Sequence, residues 1–262
     1  MQVFKKLFRC AALVSVFILS NLMGNAQSIA GYYYQIKVYH FKTQKQEGVI
    51  DNYLKNTYLP FLHQKGITNV GVFKPVTVDT ADRKIYLFVA YKNWDEVETI
   101  DEQAKQPNSF TKNSLDYVNA AHNDAPYTRI ESTLLKAFVT RPKPATPKLS
   151  GDKATRVYEL RSYESATEQG HYNKVRMFNS GETDLFDRLG FNPVFYGSVI
   201  AGSKMPNLMY LTTFNNKADR DKHWDAFSAD AQWKDLSGRK EFQNNVSKGD
   251  ITFLYPTDYS DF

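Results

Sequence analysis

The sequence has 262 residues, of which 42% are hydrophobic, 23% charged and 15% aromatic, with a mean hydropathy of −0.50. This composition is typical of a soluble globular protein and excludes both a disordered chain and a protein that crosses a membrane many times. The formal net charge of +5 falls to +2 without the first 26 residues, so a nucleic-acid partner is not expected.

The N-terminus has the regions of a secretory signal peptide in the expected order. A basic region is followed by the apolar segment 10–23, which is too short to span a bilayer. Gly24 and Ala26 stand at positions −3 and −1 of a cut after residue 26, and a cut after Ala30 is the alternative. We therefore predict a signal peptide over residues 1–26 and an exported protein, periplasmic or extracellular, without stable membrane insertion after cleavage. Cleavage removes Cys10, the only cysteine, and with it any disulfide, thiolate metal site or cysteine nucleophile.

An internal repeat with an offset of 124 residues organises the remaining sequence. Residues 34–39, YQIKVY, correspond to residues 158–163, YELRSY. At the same offset, Gly66, Val70, Tyr86 and Leu87 correspond to Gly190, Val194, Tyr210 and Leu211. A segment with three prolines separates the two copies. We therefore predict two domains, residues 31–140 and 154–262, joined by a Pro-rich linker over residues 141–153.

Each copy has the same order of predicted elements. The first has strands over 33–41, 70–78, 84–91 and 129–139, with an amphipathic helix over 49–62 after the first strand and helical stretches over 93–106 and 109–122 after the third. The second has strands over 156–163, 193–200, 207–214 and 250–254, with helices to residues 189 and 244. This β-α-β-β-α-β order is typical of the ferredoxin-like α+β fold, in which helices cover one face of a four-stranded antiparallel sheet.

The first strand of each copy alternates between two kinds of side chain. Ile36, Val38, Leu160 and Ser162 form one set, and Gln35, Lys37, Tyr39, Glu159, Arg161 and Tyr163 form the other. Because successive side chains point to opposite faces of a strand, we expect the first set to meet the helices and the second to lie on the open face. The two open faces would then pack sheet to sheet, as an internal pseudo-dimer, and enclose a lumen lined by charged and aromatic side chains.

The second half resembles the NIPSNAP family, whose domains belong to the dimeric α+β barrel superfamily. The resemblance is carried by the segment 158–163, by Arg220, His223, Trp224, Phe227 and Trp233, and by the C-terminal segment 254–260, LYPTDYS. It implies two tandem ferredoxin-like (βαββαβ) domains that form a dimeric α+β barrel-type pseudo-dimer. A family fold does not by itself imply a reaction.

Motifs for cofactors and metals are not found in the sequence. Gly66 and Gly71 have the spacing of a phosphate-binding loop, but Val72 and Phe73 follow where lysine and a hydroxyl residue are required. No two of the five histidines lie at i, i+2 or i, i+4, so we predict no metal site and no cofactor. Ligation by histidines from separate elements is the alternative, including haem on one histidine as in some proteins of this superfamily.

The candidate ligand site consists of the polar side chains of the predicted open face. Its residues are Arg161, Tyr163, Glu159, Lys37 and Tyr39. Arg161 would bind a carboxylate or phosphate, and the two tyrosines would donate hydrogen bonds or carry protons. The alternative is that Glu159 pairs with Lys37 or Arg161 in an ion pair at the domain interface.

These observations predict a small-molecule-binding or interaction module that uses the inter-domain lumen. The resemblance implies an alternative, an oxygenase-like or isomerase-like enzyme of the dimeric α+β barrel type that acts on a small anionic or aromatic substrate. A homo-oligomer is compatible with either function.

Overall fold

Eight antiparallel strands close into a barrel in the computed structural model, which describes residues 31–104, 106 and 112–262. The predicted signal peptide, both of its cleavage points and residues 107–111 lie outside the described residues. The strands are β1 (Tyr33–Phe41), β2 (Gly71–Pro75), β3 (Arg83–Tyr91), β4 (Arg129–Ala137), β5 (Val157–Glu164), β6 (Phe195–Ala201), β7 (Asn207–Phe214) and β8 (Lys248–Pro256). Their order around the barrel is β1-β3-β2-β8-β5-β7-β6-β4.

Helices lie between the strands of each copy. They are α1 (Gln44–Tyr53), α2 (Leu59–Gln64), α3 (Trp94–Ala104) and α4 (Leu115–Val118) in the first copy, and α5 (Glu168–Met177), α6 (Thr183–Arg188), α7 (Lys217–Ala229) and α8 (Ala231–Gly238) in the second. Short 3₁₀ turns occur at Lys112–Ser114, Lys153–Thr155 and Lys240–Phe242. No helix of the described segments is both long and apolar enough to cross a bilayer.

The barrel confirms the predicted ferredoxin-like sheets and their pseudo-dimeric arrangement. The strand order is β4-β1-β3-β2 in the first copy and β8-β5-β7-β6 in the second, as this fold requires. The two sheets join edge to edge through the pairs β2–β8 and β4–β6, so one continuous sheet surrounds the lumen. Gly31–Phe262 form one compact unit, and the predicted domain and linker boundaries within it stay a prediction.

The repeat is visible in the helices as well as in the strands. A π-helical turn follows the first helix of each copy, at Leu54–Tyr58 and Phe178–Glu182, with the same offset of 124 residues. Gly66 and Gly190 follow the next helix with φ angles of 80° and 78°, a left-handed conformation that favours glycine. Pro60 lies in the first turn of α2, directly after the π-helical turn, where a proline is tolerated.

The structural offset changes to 123 residues in the third strand of each copy. Lys37 pairs with Leu87 across β1 and β3, whereas Arg161 pairs with Tyr210 across β5 and β7. The predicted equivalence of Tyr86 with Tyr210 is therefore wrong by one position. Because side chains alternate along a strand, this slip places the two tyrosines on opposite faces of the barrel wall.

The predicted assignment of the two faces is also wrong. The barrel interior holds an apolar cluster with members from all eight strands: Tyr34, Ile36, Phe73, Phe88, Leu135, Tyr158, Leu160, Phe195, Val199, Leu211 and Leu254. The aliphatic set thus faces the lumen. The polar and aromatic set faces the helices, because the helices provide its hydrogen-bonding and ring partners.

We predict opposite effects of alanine at two glycines of the first copy. At Gly66 a Cβ atom would meet no other atom within 4 Å, but the positive φ should cost about 1 kcal/mol in the free energy of unfolding. At Gly48, an exposed position inside α1, alanine also meets no atom and should stabilise the protein by about 0.5–1 kcal/mol. Urea unfolding of Gly66→Ala and Gly48→Ala measures both changes. A stabilising Gly66→Ala would contradict the assigned helix end.

Candidate functional site

The five residues of the predicted ligand site lie outside the lumen and in two separate places. Glu159, Arg161 and Tyr163 on β5 face the helices of the second copy, and Lys37 and Tyr39 on β1 face those of the first. Three strands separate β1 from β5 in either direction around the barrel. The expected lumenal site of all five residues is therefore wrong in its location, whereas the ligand-binding role of each group stays a prediction.

Glu159 is the centre of a buried network in the second copy. Its side chain is fully buried, and its Oε1 atom accepts hydrogen bonds from Arg161 Nε at 2.6 Å and Arg220 Nη2 at 2.8 Å. Its Oε2 atom accepts from Arg220 Nε at 2.7 Å and from Trp224 Nε1 at 2.9 Å. Burial raises the pKa of this carboxyl, but the hydrogen bond from Arg220 and the charges of both arginines lower the pKa below its ordinary value.

Arg161 has a partner for each of its side-chain nitrogens. Nε and Nη2 contact Glu159, and Nη1 donates to the Tyr163 hydroxyl at 2.7 Å. The guanidinium also lies 3.7 Å from the centre of the Trp224 ring. The Tyr163 hydroxyl continues the network to the Tyr210 hydroxyl at 3.0 Å. The ion pair of Arg161 with Glu159 is thus present, but it lies beneath the helices of the second copy and not at the domain interface where our alternative placed it. No nitrogen of Arg161 is left unpaired.

A second buried ion pair lies behind this network, and none of the sequence motifs predicted it. Lys174 Nζ donates to Glu182 Oε2 at 2.9 Å, and both residues are buried. Burial raises the pKa of Glu182, although the neighbouring Lys174 charge opposes this shift. Glu182 lies in the π-helical turn, and the equivalent positions of the first copy are Tyr58 and Ile50. The ion pair therefore belongs to the second copy alone.

The corresponding layer of the first copy is built from tyrosine rings. Lys37 Nζ pairs with Asp101 of α3 at 2.8 Å, and Tyr39 packs edge-on against Tyr117. Tyr117 stacks on Tyr53 with ring centres 3.9 Å apart. Burial raises the pKa of the Tyr39 hydroxyl above its ordinary value. The two copies thus differ in this layer: the first has the Lys37–Asp101 pair beside tyrosine rings, whereas the second places Glu159 between two arginines.

The lumen is open at one end and filled at the other. Aromatic rings fill the closed end, where Phe88 and Phe195 stack with centres 4.9 Å apart. The open end holds a cavity of about 430 Å³. Its apolar wall is formed by Ile36, Val38, Tyr86, Leu160, Val199 and Met209, and its polar wall by His40, Asp82, Lys84, Arg129, Glu131, Thr133, Ser162, Ser203, Lys204, Asn207, Asp250 and Thr252.

Two buried polar atoms of the cavity wall lack a hydrogen-bond partner among the described residues. One is Nε2 of His40, whose Nδ1 lies 2.8 Å from Asp82 Oδ1. The other is Oδ1 of Asn207, whose Nδ2 donates to the Ser162 hydroxyl at 2.8 Å. Both residues are at least 97% buried. Since buried polar groups are nearly always paired, these two atoms leave an unmet hydrogen-bonding capacity in residues of the cavity wall.

The cations at the cavity rim each contact a carboxylate. Lys84 lies 3.1 Å from Asp82, Arg129 lies 2.8 Å from Glu131, and Lys204 lies 2.7 Å from Asp250. Burial raises the pKa of Asp82, but its contacts with His40 and Lys84 lower the pKa below the ordinary value. Each of these three positive charges at the rim is therefore balanced by a negative one. In the described part of the chain, no three His, Asp, Glu or Cys side chains are grouped as a metal site.

Sequence reasoning missed both His40 and Asn207. Alternation places His40 on the face of Ile36 and Val38, which we had assigned to the helices, and there a histidine indicates an ordinary core residue. A correct face assignment would have placed it in the lumen. For Asn207, the first residue of β7, the only signal is a polar residue at the start of an apolar strand, which is common.

Comparison with known proteins confirms the family resemblance of the second half. Residues 158–261 match the NIPSNAP family model. The sequence matches no curated protein.

Solved structures match nearly the whole chain. A monooxygenase-like protein from Lactobacillus acidophilus matches with a TM-score of 0.58 and 13% identity, over 86% of this chain and 94% of that one. A monooxygenase-like protein from Fusobacterium nucleatum has a TM-score of 0.55 and 10% identity, over 87% and 93% of the two chains. An anthrone oxidase-like protein has a TM-score of 0.50 and 10% identity, over 87% and 92%. At these identities the similarity shows the dimeric α+β barrel fold alone.

We predict that the Glu159 network stabilises the protein in a pH-dependent way. Glu159→Gln removes the charge that pairs with Arg161 and Arg220 and should lower the free energy of unfolding by about 3 kcal/mol at pH 7. Because folding lowers the pKa of Glu159, its contribution is present above the unfolded value of about 4.3 and is lost as the pH falls through the folded value. The two proteins should therefore become equally stable at acidic pH.

Urea unfolding from pH 7 down to pH 3 measures this difference. Glu98→Gln, on the exposed surface of α3, is the matched control and should change the stability by less than about 0.5 kcal/mol. A deficit of Glu159→Gln that stays constant over this pH range would contradict the assigned ion pairs.

Proposed function

We propose that this protein binds a small molecule in the open end of the barrel lumen. The observation that supports the proposal is the cavity of about 430 Å³, into whose wall two buried and unpaired polar atoms, His40 Nε2 and Asn207 Oδ1, are built. Concave cavities of this size, in which placed polar groups adjoin apolar side chains, are the usual form of ligand sites.

The two unpaired atoms lower the stability of the free protein. A buried polar atom without a hydrogen bond costs about 1–3 kcal/mol of folding free energy, and an apolar residue at the same strand position would avoid this cost. Val38 and Ile36 show that β1 places apolar side chains on the same face. A hydrogen-bonding ligand would remove the cost of both polar atoms at once.

The cavity is also supported as a site by its position in the fold. Strands of both copies line it, with His40 on β1 and Asn207 on β7, so the cavity exists only in the closed barrel. The wall also includes Ile251, which is 47% exposed. A small ligand with both polar and apolar groups fits this surrounding.

Filling the lumen should abolish the binding of a small aromatic probe. Val38 lines the cavity and keeps part of its surface exposed to it, so the larger ring of Val38→Trp should enter the cavity. We expect saturable binding of 8-anilinonaphthalene-1-sulfonate to the wild type, measured by fluorescence titration, and a loss of at least about tenfold in affinity in Val38→Trp.

Val139→Trp is the matched control, because Val139 is 70% exposed and does not line the cavity. It should leave the affinity unchanged. Equal binding to Val38→Trp and the wild type would contradict the lumenal site. Thermal unfolding of both variants shows whether they are folded.

We also propose that the protein is exported. The support is the basic, apolar and small-residue order of residues 1–26. Intact-mass measurement of the protein from the periplasm or medium of its native host should give a chain that begins at Gln27 or Gly31. A full-length chain with residues 1–26 in the cytosolic fraction would contradict this proposal.

A further inference from the structure

Ser198 and His171 form a hydroxyl–imidazole pair on the outside of the barrel wall. Ser198 lies on β6 and His171 in α5, and the hydroxyl Oγ is 2.7 Å from Nε2 of the imidazole. Both residues are half-buried, and Ile200, on the same face of β6, is 41% exposed. The pair therefore lies at a margin of the helix layer that solvent reaches.

The imidazole has the properties of a base for the Ser198 hydroxyl. Its Nδ1 is buried and has no hydrogen-bond partner among the described residues, so Nε2 is the nitrogen that meets a polar group. Burial lowers the pKa of His171 below its ordinary value, which favours the neutral ring. In the tautomer that carries its hydrogen on Nδ1, Nε2 accepts the hydrogen bond of the serine.

The first copy has an ion pair at the equivalent place. The offset of 124 residues relates His171 to Glu47 and Ser198 to Lys74, and it also relates the first residues of β2 and β6. Lys74 Nζ contacts Glu47 Oε1 at 2.7 Å. A purely structural contact between helix and strand at this place thus exists in the same chain. The second copy has instead an uncharged hydroxyl beside a base, the combination that activates serine nucleophiles.

We propose that Ser198 is a nucleophile that takes up an acyl group from an activated ester, with His171 as its base. The Ser198 O–H bond breaks as Nε2 takes the proton, and Oγ forms a bond to the acyl carbon. The bond from that carbon to the leaving oxygen breaks, and this oxygen receives the proton from Nε2. The products are an acyl ester of Ser198 and an alcohol or phenol. The site lies outside the lumen, so the proposal is independent of lumenal binding.

The surroundings of the pair limit the reaction to slow acylation. Nδ1 lacks the carboxylate partner that would orient the ring and stabilise the imidazolium. Lys136, opposite Ser198 on β4, donates to the carbonyl of Gly31 and lies over the Tyr33 ring, so its charge is directed towards β1. We therefore expect uptake of a single acyl group rather than rapid turnover.

The test uses 4-nitrophenyl acetate at neutral pH, with peptide mass spectrometry to locate the acetyl group. We expect an acetyl ester on Ser198 in the wild type and its loss in Ser198→Ala. His171→Gln keeps a hydrogen-bonding side chain but cannot carry the proton, so acetylation of Ser198 should be about 100-fold slower. Thermal unfolding shows whether both variants are folded.

Two matched controls should acetylate Ser198 at the rate of the wild type. Ser228→Ala removes an exposed serine whose hydroxyl donates to the backbone carbonyl of Trp224 rather than to a histidine. His63→Gln removes an exposed histidine that pairs with Asp261 rather than with a hydroxyl.

A double variant separates the chemical role of the pair from a structural one. His171→Glu combined with Ser198→Lys installs the ion pair of the first copy, so it should keep the thermal stability and lose the ester. Hydroxylamine removes an ester of serine but leaves an acetylated lysine intact, which distinguishes the two products. An unchanged amount of hydroxylamine-sensitive acetyl groups in the double variant would contradict the proposal.

The wild type alone also decides the proposal. If it carries no ester on Ser198 after treatment, the nucleophile is wrong. If His171→Gln forms the ester at the rate of the wild type, the role of His171 as the base is wrong. Neither result would bear on probe binding in the lumen.

Discussion

The closure of the sheet covers both faces of every strand, and this constraint decides where each polar side chain can lie. Inside the barrel, apolar residues of all eight strands pack together. Outside, helices cover the wall, so a charged strand residue such as Glu159 is stable only because α7 provides Arg220 and Trp224. The open end of the lumen leaves unfilled space beside two residues with unpaired buried polar atoms, His40 and Asn207. The candidate ligand site follows from that geometry.

The sequence was sufficient to predict the repeat, the element order and the ferredoxin-like sheets, because these depend on local periodicity and composition. It was not sufficient to decide which strand face meets the helices. A period of two separates the side chains of a strand into two sets but does not show which set faces the helices. That assignment depends on contacts between distant residues, such as Arg220 with Glu159, which are 61 positions apart. A rule that sends aliphatic residues toward helices fails when the opposite face is enclosed as well.

A shift of one residue in the strand pairing gives identical residues of the two copies different roles. The dipeptides Tyr86-Leu87 and Tyr210-Leu211 align at the offset of 124, yet the strand pairing is related by 123. Tyr86 therefore lines the cavity, whereas the Tyr210 hydroxyl contacts Tyr163 beneath the helices. The two copies are similar in sequence on both sides of this shift, but residues aligned by sequence no longer have equivalent positions. No sequence pattern within either copy reveals the shift.

A tandem chain can build a lumen that a symmetric dimer cannot. In a two-fold homodimer each lumenal residue occurs twice, so any site on the axis is symmetric. Here the repeat relates His40 to Glu164, and the shifted offset relates Lys84 to Asn207. The cavity wall therefore combines an imidazole and an ammonium group from one copy with an amide from the other. The joining of two copies in one chain allows each to change separately, and His40 of one copy and Asn207 of the other can therefore line the same cavity without a repeated counterpart.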